Sequence, residues 1–284
     1  MTTATLTAPV QRTAVPLPRL YLAELRWIFR RPRTLIVLGL LALIPVIVAI
    51  ALRIGGSGDG GGGPEALFTT AAANAFVLPI AILTMTLTLL LPLTTAMSAG
   101  DAIAGELANG TLRGWLLAPV SRGRLLAVKA LGVATFTLAS VALMAVVAVV
   151  AGLVLNGTGS LFTLSGTTLS FGAALGKIAI AVGWVTLQLW AVGAVALAIS
   201  ACTEHPMLVV VSVLAGTIVS NVLLLLSAVD WLHPFLLPKS WDALADVLRD
   251  PMPTAALGEG ALRAACYVVV GLALAYARIT TKDG

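Results

Sequence analysis

Six stretches of this 284-residue chain, 34–52, 76–97, 130–155, 178–199, 207–229 and 261–277, are almost free of charge. Each is close to the roughly 20 residues a helix needs to cross the hydrocarbon of a bilayer. A bilayer offers exposed backbone no water, so only helices or a closed barrel can span it, and continuous apolar runs lack the alternation of barrel strands. The expectation is an all-α membrane protein with six transmembrane helices. Composition agrees, with 59% apolar and 10% charged residues where a soluble domain is about one quarter charged.

The flanks set the orientation. Residues 1–16, rich in Thr, Ala and Pro, read as a disordered tail. In 17–33, Leu22, Leu25, Ile28 and Phe29 share one helical face and Arg19, Arg26 and Arg30 another, the pattern of an amphipathic elbow helix lying on the membrane surface. The first apolar run follows this basic segment and is too long for a signal-peptide core. Twelve of the 17 Lys and Arg fall on the side of the termini and five on the other. Both termini, including the tail 278–284, are therefore expected in the cytoplasm, most simply of a bacterial inner membrane.

Three connections carry information. The outer loop near 54–64 is glycine-rich. The inner loop 98–129 is long and basic, its Asn109-Gly110 reads as a helix-ending turn with Thr111 capping a second short helix that Pro119 ends, and Glu106, Arg113, Arg122 and Arg124 are expected to face the cytoplasm. The outer segment 230–260 holds Pro234 and Pro238 before a short amphipathic stretch in which Trp241, Leu244, Val247 and Leu248 oppose Asp242, Asp246 and Arg249. Arg263, just beyond it, is expected to snorkel to the interface and pair with Glu259 one turn earlier. Pro45, Pro79 and Pro92 are candidate kinks, and Gly172 with Gly176 fits a small-residue helix contact.

Chemistry of its own is not apparent. Two distant cysteines and two histidines, His205 and His233, give no metal cluster and no catalytic constellation. The Gly172 to Lys177 segment has one spacer too few for a phosphate-binding loop and lacks its Ser or Thr, so no cofactor is expected in this chain and ATP with Mg²⁺ would belong to a partner. A basic chain this apolar points to the bilayer, not to nucleic acid. Thr84, Thr88 and Thr95, with Gln188 and Asn221, are candidates for a weakly polar substrate pathway. The other reading of those residues is that they bond their own helices or glue neighbours together.

The string Glu106-Leu-Ala-Asn-Gly-Thr-Leu-Arg113, followed by Leu116-Leu-Ala-Pro-Val-Ser-Arg122 and Lys129, resembles the loop after the second span in permease subunits of type-2 ABC exporters. That family pattern has an acidic residue, Gly-Thr-Leu, Leu-Leu, Pro-Val-Ser-Arg and a Lys. The layout of elbow helix, six spans and an outer gate segment is similar too. One position departs: a second acidic residue is often found where this chain has Ala108. The resemblance implies that the inner loop is a coupling helix entering a cleft on a separate ATPase. Its contacts there would be Glu106, Gly110, Thr111, Leu112, Arg113, Pro119, Val120, Ser121 and Arg122. It also implies two cytoplasmic ABC ATPase subunits, a second permease copy, alike or similar, and export of an amphipathic or hydrophobic small molecule or lipid-like substrate by alternating access. Pro234, Pro238 and Trp241 would belong to the outer gate. The alternative is an ion-gradient-driven secondary transporter or channel, which calls for buried ionisable residues or an inverted repeat.

Overall fold

A computed structural model describes residues 16–55, 74–108, 110, 121–157, 161–162 and 168–281. All but the last residue of the expected tail 1–16, nearly all of the glycine-rich loop and the second helix of the inner loop lie outside these residues.

Helix α1 (Leu17–Arg30) turns sharply at Arg31 into α2 (Pro32–Gly55). Then come α3 (Val77–Leu87), α4 (Leu90–Ala102), the one-turn α5 (Ala104–Ala108) and the long α6 (Arg122–Asn156). A two-residue antiparallel hairpin, β1 (Leu161–Phe162) with β2 (Thr168–Leu169), precedes α7 (Phe171–Cys202) and α8 (Pro206–Leu224). Two 3₁₀ segments, Ser227–Phe235 and Leu237–Leu248, lead to α9 (Thr254–Thr281). The chain is nearly all helical, and this hairpin is the departure from the all-α expectation. Five described helices are long and apolar enough to cross a membrane, or six if the α3–α4 pair forms one span.

That pair is bent by 59°. Pro92 has no N–H to give the carbonyl of Thr88, and its ring crowds that carbonyl; the chain leaves helical geometry at Leu89 (φ −143°, ψ −51°). The other two prolines do not break their helices. Pro45 sits inside an uninterrupted α2, and Pro79 falls in the first turn of α3, where an absent N–H costs nothing.

The expected loop 98–129 is helical at both ends, because α4 continues to Ala102 and α6 starts at Arg122. Ser121 caps α6, its hydroxyl accepting the Arg124 N–H at 3.4 Å.

The buried centre is α7, along which α9 packs. Gly271 makes this possible, since a Cβ there would stand 2.7 Å from the Ala194 carbonyl carbon. Ala264, Gly271 and Ala275 put small residues on the buried face of α9, which lets two backbones approach closely without any hydrophobic drive between helices in lipid. The small-residue contact expected at Gly172 and Gly176 is not there: an added Cβ at either would meet nothing.

At the end of the fold opposite the α4–α6 bend, the 3₁₀ segments fold over α3, α7, α8 and α9. Trp241, Leu244, Val247 and Leu248 are buried while Asp242 and Arg249 are exposed, as the amphipathic pattern anticipated. Arg263 does more than snorkel. Instead of turning to Glu259, which is exposed, its Nε donates to the Pro234 carbonyl at 2.6 Å and its guanidinium also donates to the Ser240 hydroxyl. Tyr267, one turn on, donates to the Phe235 carbonyl at 2.9 Å. Lys177 closes the far side through the Arg249 carbonyl at 2.7 Å. Arg263→Met removes two donors that nothing replaces. The expected result is loss of about 1–2 kcal/mol of local stability and roughly tenfold faster amide exchange across 234–248; unchanged exchange there refutes the clamp.

Candidate functional site

The bend between α4 and α6 gathers most of the structure's buried charge. Its origin is the break at Ile103 (φ −119°, ψ −60°), which frees backbone groups that a buried turn must satisfy. Ser200 of α7 meets the need: its hydroxyl accepts the Ala104 N–H at 2.9 Å and donates to the Gly100 carbonyl at 3.3 Å. Gly100 lets the start of α8 approach, since a Cβ there would lie 3.0 Å from the Pro206 carbonyl oxygen. Helix α5 then ends at Gly110, whose φ of +69° suits glycine and whose N–H returns to the Leu107 carbonyl at 3.0 Å. The helix-ending turn is thus in place.

Glu106 is not turned outward as the sequence pattern suggested. Its side chain is 6% exposed and ion-paired with Lys129, which is 1% exposed. Lys129 also donates to both carboxylate oxygens of Glu24 at 2.9 Å. Burial holds the Glu106 carboxyl above the usual carboxylate range, with the Lys129 ammonium acting against it. One ammonium therefore joins three separate elements: α1, α5 and α6.

Neighbouring contacts reinforce the joint. The Trp27 ring has the Arg31 guanidinium 3.0 Å from its centroid and Lys129 Nζ at 5.2 Å. Asp101, in the last turn of α4, accepts from Arg33 at 3.2 and 3.3 Å and lies 3.8 Å from Arg31. Tyr21 and Thr135 share a hydrogen bond of 2.6 Å. The face of α1 that docks is therefore Tyr21, Glu24 and Ile28, whereas Leu22, on the apolar face expected to meet the membrane, is exposed.

Ser121 and Arg122 serve packing in the structure as well. Ser121 is the α6 cap, and Arg122 donates to the Ile279 and Thr280 carbonyls at 2.8 and 3.0 Å, filling acceptors that the end of α9 leaves open. Thr111, Leu112, Arg113, Pro119 and Val120 lie outside the described residues.

The five pathway candidates are not assembled. Thr84 donates to the Ile80 carbonyl at 2.8 Å and Thr88 to that of Thr84 at 3.4 Å. Asn221 donates to Thr217 at 2.9 Å on its own helix, and Gln188 to the Gly260 carbonyl at 3.0 Å across to α9. Thr95 is buried against the Gly193 position. The bend at Leu89 separates Thr95 from Thr84 and Thr88, so the shared stripe does not exist. A cavity of about 290 Å³ between α6, α7 and α9 and one of about 210 Å³ beneath the 3₁₀ segments have none of the five in their walls. Pro238 and Trp241 do line the second, beside Tyr267, while Pro234 contributes the carbonyl that Arg263 holds.

Sequence reasoning missed Glu24 and Ser200. Glu24 had a signal, being the one acidic residue among 17–33 and sharing a stripe with Tyr21 and Ile28; Ser200 had none.

Several long apolar helices whose buried ion pairs sit at one end define a multi-pass membrane protein. The chain belongs to the ABC-2 family transporter proteins, whose family model matches residues 20–283. It is thereby a membrane component of the ABC transporter permease kind. No curated protein matches it.

Proposed function

We propose that this chain is the permease subunit of an ATP-driven exporter, working with a second permease copy and two cytoplasmic ABC ATPase subunits that hold the ATP and Mg²⁺. The observation that carries this reading is the joint at Lys129. A push on the segment that follows Gly110 is delivered through Glu106 to α6 and, through Glu24, to α1, because a buried ion pair resists separation far more than an apolar contact does. Helix α1 acts as the elbow on the inner membrane surface, both termini face the cytoplasm, and six spans cross a bacterial inner membrane. Closure of the ATPases switches a cavity shared by the two permeases between inward and outward access, with the clamp at Pro234, Pro238 and Trp241 as the outer gate.

The segment 110–120 makes the ATPase contact, with Thr111, Leu112, Arg113, Pro119 and Val120 at its surface. Glu106, Ser121 and Arg122 hold its two ends in place. An amphipathic or lipid-like substrate suits the apolar walls. The buried ionisable groups that a gradient-driven transporter requires do exist here, but they tie elements together at one end of α6 instead of lining a path.

The test is coexpression with candidate ABC ATPase subunits from the same source. The complex is expected to copurify with two ATPase subunits per permease pair. Arg113→Glu is expected to cut permease-stimulated ATP hydrolysis about tenfold, the scale of one lost charged contact, while the chain accumulates normally. Failure of any ATPase to copurify, or full stimulation in the variant, overturns the proposal.

A further inference from the structure

The cavity of about 210 Å³ beneath the 3₁₀ segments combines hydrocarbon walls with one buried donor that lacks an acceptor. Val192, Val195 and Ile199, on one face of α7, line it together with Leu237, and no described residue in its wall is charged. Three of its hydroxyls are committed as donors: Thr217 to the Val213 carbonyl at 2.9 Å, Ser220 to that of Gly216 at 2.7 Å and Tyr267 to that of Phe235 at 2.9 Å. The half-buried Ser212 hydroxyl can rotate to give or to take a bond and so prescribes nothing.

Trp241 is different. It lines the cavity, is 6% exposed, and its indole nitrogen is buried with no hydrogen-bond partner among the described residues. Native proteins keep few such groups, because a buried donor gives up its bonds to water and gains nothing in return. Phenylalanine would fill the same place without that cost. Protein atoms close over the nitrogen, so an acceptor in the cavity reaches it when the indole shifts, and the bond then formed offsets the shift.

These features select a ligand. A charged group finds no counter-ion in these walls and loses its hydration without return. A pure hydrocarbon suits the walls but leaves the indole unmet. A neutral, apolar molecule with one acceptor oxygen answers both. An apolar cavity of about 150 Å³ holds one benzene ring, so about 210 Å³ takes a ring with a short side chain or a chain of like bulk.

We infer that this cavity binds a neutral, apolar molecule through a carbonyl oxygen that accepts the Trp241 N–H. The inference rests on the cavity and not on the export reading, and binding is measured on the chain without an ATPase. An occupant ties the segment Leu237–Leu248 to α7 and α8, which supply most of the other walls.

Two probes of one shape separate the contributions: propiophenone, which has the carbonyl, and propylbenzene, which has a methylene in its place. The full chain, labelled with ¹⁵N-tryptophan, is studied in detergent micelles, with probe concentrations corrected for partitioning into the detergent. The Trp241 indole resonance is identified by its loss in Trp241→Phe. Propiophenone is expected to move that indole proton downfield and to raise the unfolding temperature at about tenfold lower concentration than propylbenzene, the scale of one hydrogen bond. In Trp241→Phe the two probes are expected to act equally. An added Cβ at Gly216, in the cavity wall, meets nothing within 4 Å, so Gly216→Leu fills the cavity without a clash and is expected to abolish the response to both probes. An indole proton that propiophenone leaves in place, a ketone advantage that survives Trp241→Phe, or a response that survives Gly216→Leu overturns the inference. A cross-peak between the Trp241 indole proton and water before any probe is added also overturns it, because a resident water would then satisfy the donor.

Discussion

Replacing Lys129 with Met is expected to be the most damaging single change in the protein. The ammonium is 1% exposed and bonds Glu24 through two contacts of 2.9 Å as well as Glu106. Removing it deprives two buried carboxylates of the ammonium they share, and breaking a buried pair in this way costs about 3–5 kcal/mol. The protein can escape by protonating a carboxylate or by releasing α1, and the latter opens the Tyr21–Thr135 bond. Thermal unfolding in detergent measures the first cost. A cysteine pair at positions 21 and 135 measures the second, crosslinking readily in the parent and poorly with Lys129→Met. The triple variant Glu24→Gln, Glu106→Gln, Lys129→Met is expected to recover most of the stability, because it leaves no uncompensated charge, yet to transmit motion poorly. A Lys129→Met protein that melts with its parent would sink the idea that this joint holds three elements together.

The second large effect is expected at Gly271. Leucine there would drive a Cβ to within 2.9 Å of the Ala194 Cβ and carbonyl oxygen, and the rest of the side chain has no space unless α9 moves away from α7. Overpacking of this kind costs about 1–3 kcal/mol and more where backbone must shift. Backbone must shift here, because the obstacle is the main chain of Ala194. Helix α9 also carries Arg263 and Tyr267, so its displacement is expected to loosen the 3₁₀ clamp along with the contact to α7. Lower accumulation of folded protein, together with loss of protection in 234–248 during hydrogen exchange, is the expected signature. Gly271→Ala, the milder case, should show both effects in reduced form, and native stability in Gly271→Leu would show that the helices do not depend on this approach.

How legible the molecule was depends on which physical interactions decide each part. The amphipathic stretch after Pro238 was readable because its burial follows a repeat contained in twelve residues: Trp241, Leu244, Val247 and Leu248 are inside as the period requires. The turn at Gly110 was readable for the same reason, since a left-handed residue is a local matter. Glu106 was singled out by its motif, but its direction was misjudged. A lone carboxylate in a basic loop reads as solvent-facing until a buried ammonium is found for it, and that ammonium is 23 residues away with a second partner 105 residues away. The same limit explains the threonines, whose common face assumed a straight helix that Pro92 interrupts.

The amino-acid sequence by itself determined that the chain is a helical membrane protein, where its long apolar helices lie and which end of the bundle is basic. Burial of a helix in hydrocarbon is settled residue by residue within that helix. The tertiary structure alone decided that Glu24, Glu106 and Lys129 meet, that Ser200 satisfies the broken turn, and that Gly271 and not Gly172 is the place where two helices touch. Each of those outcomes depends on how distant segments are positioned in three dimensions, and electrostatics and close packing act over a few ångströms that no spacing along the chain encodes.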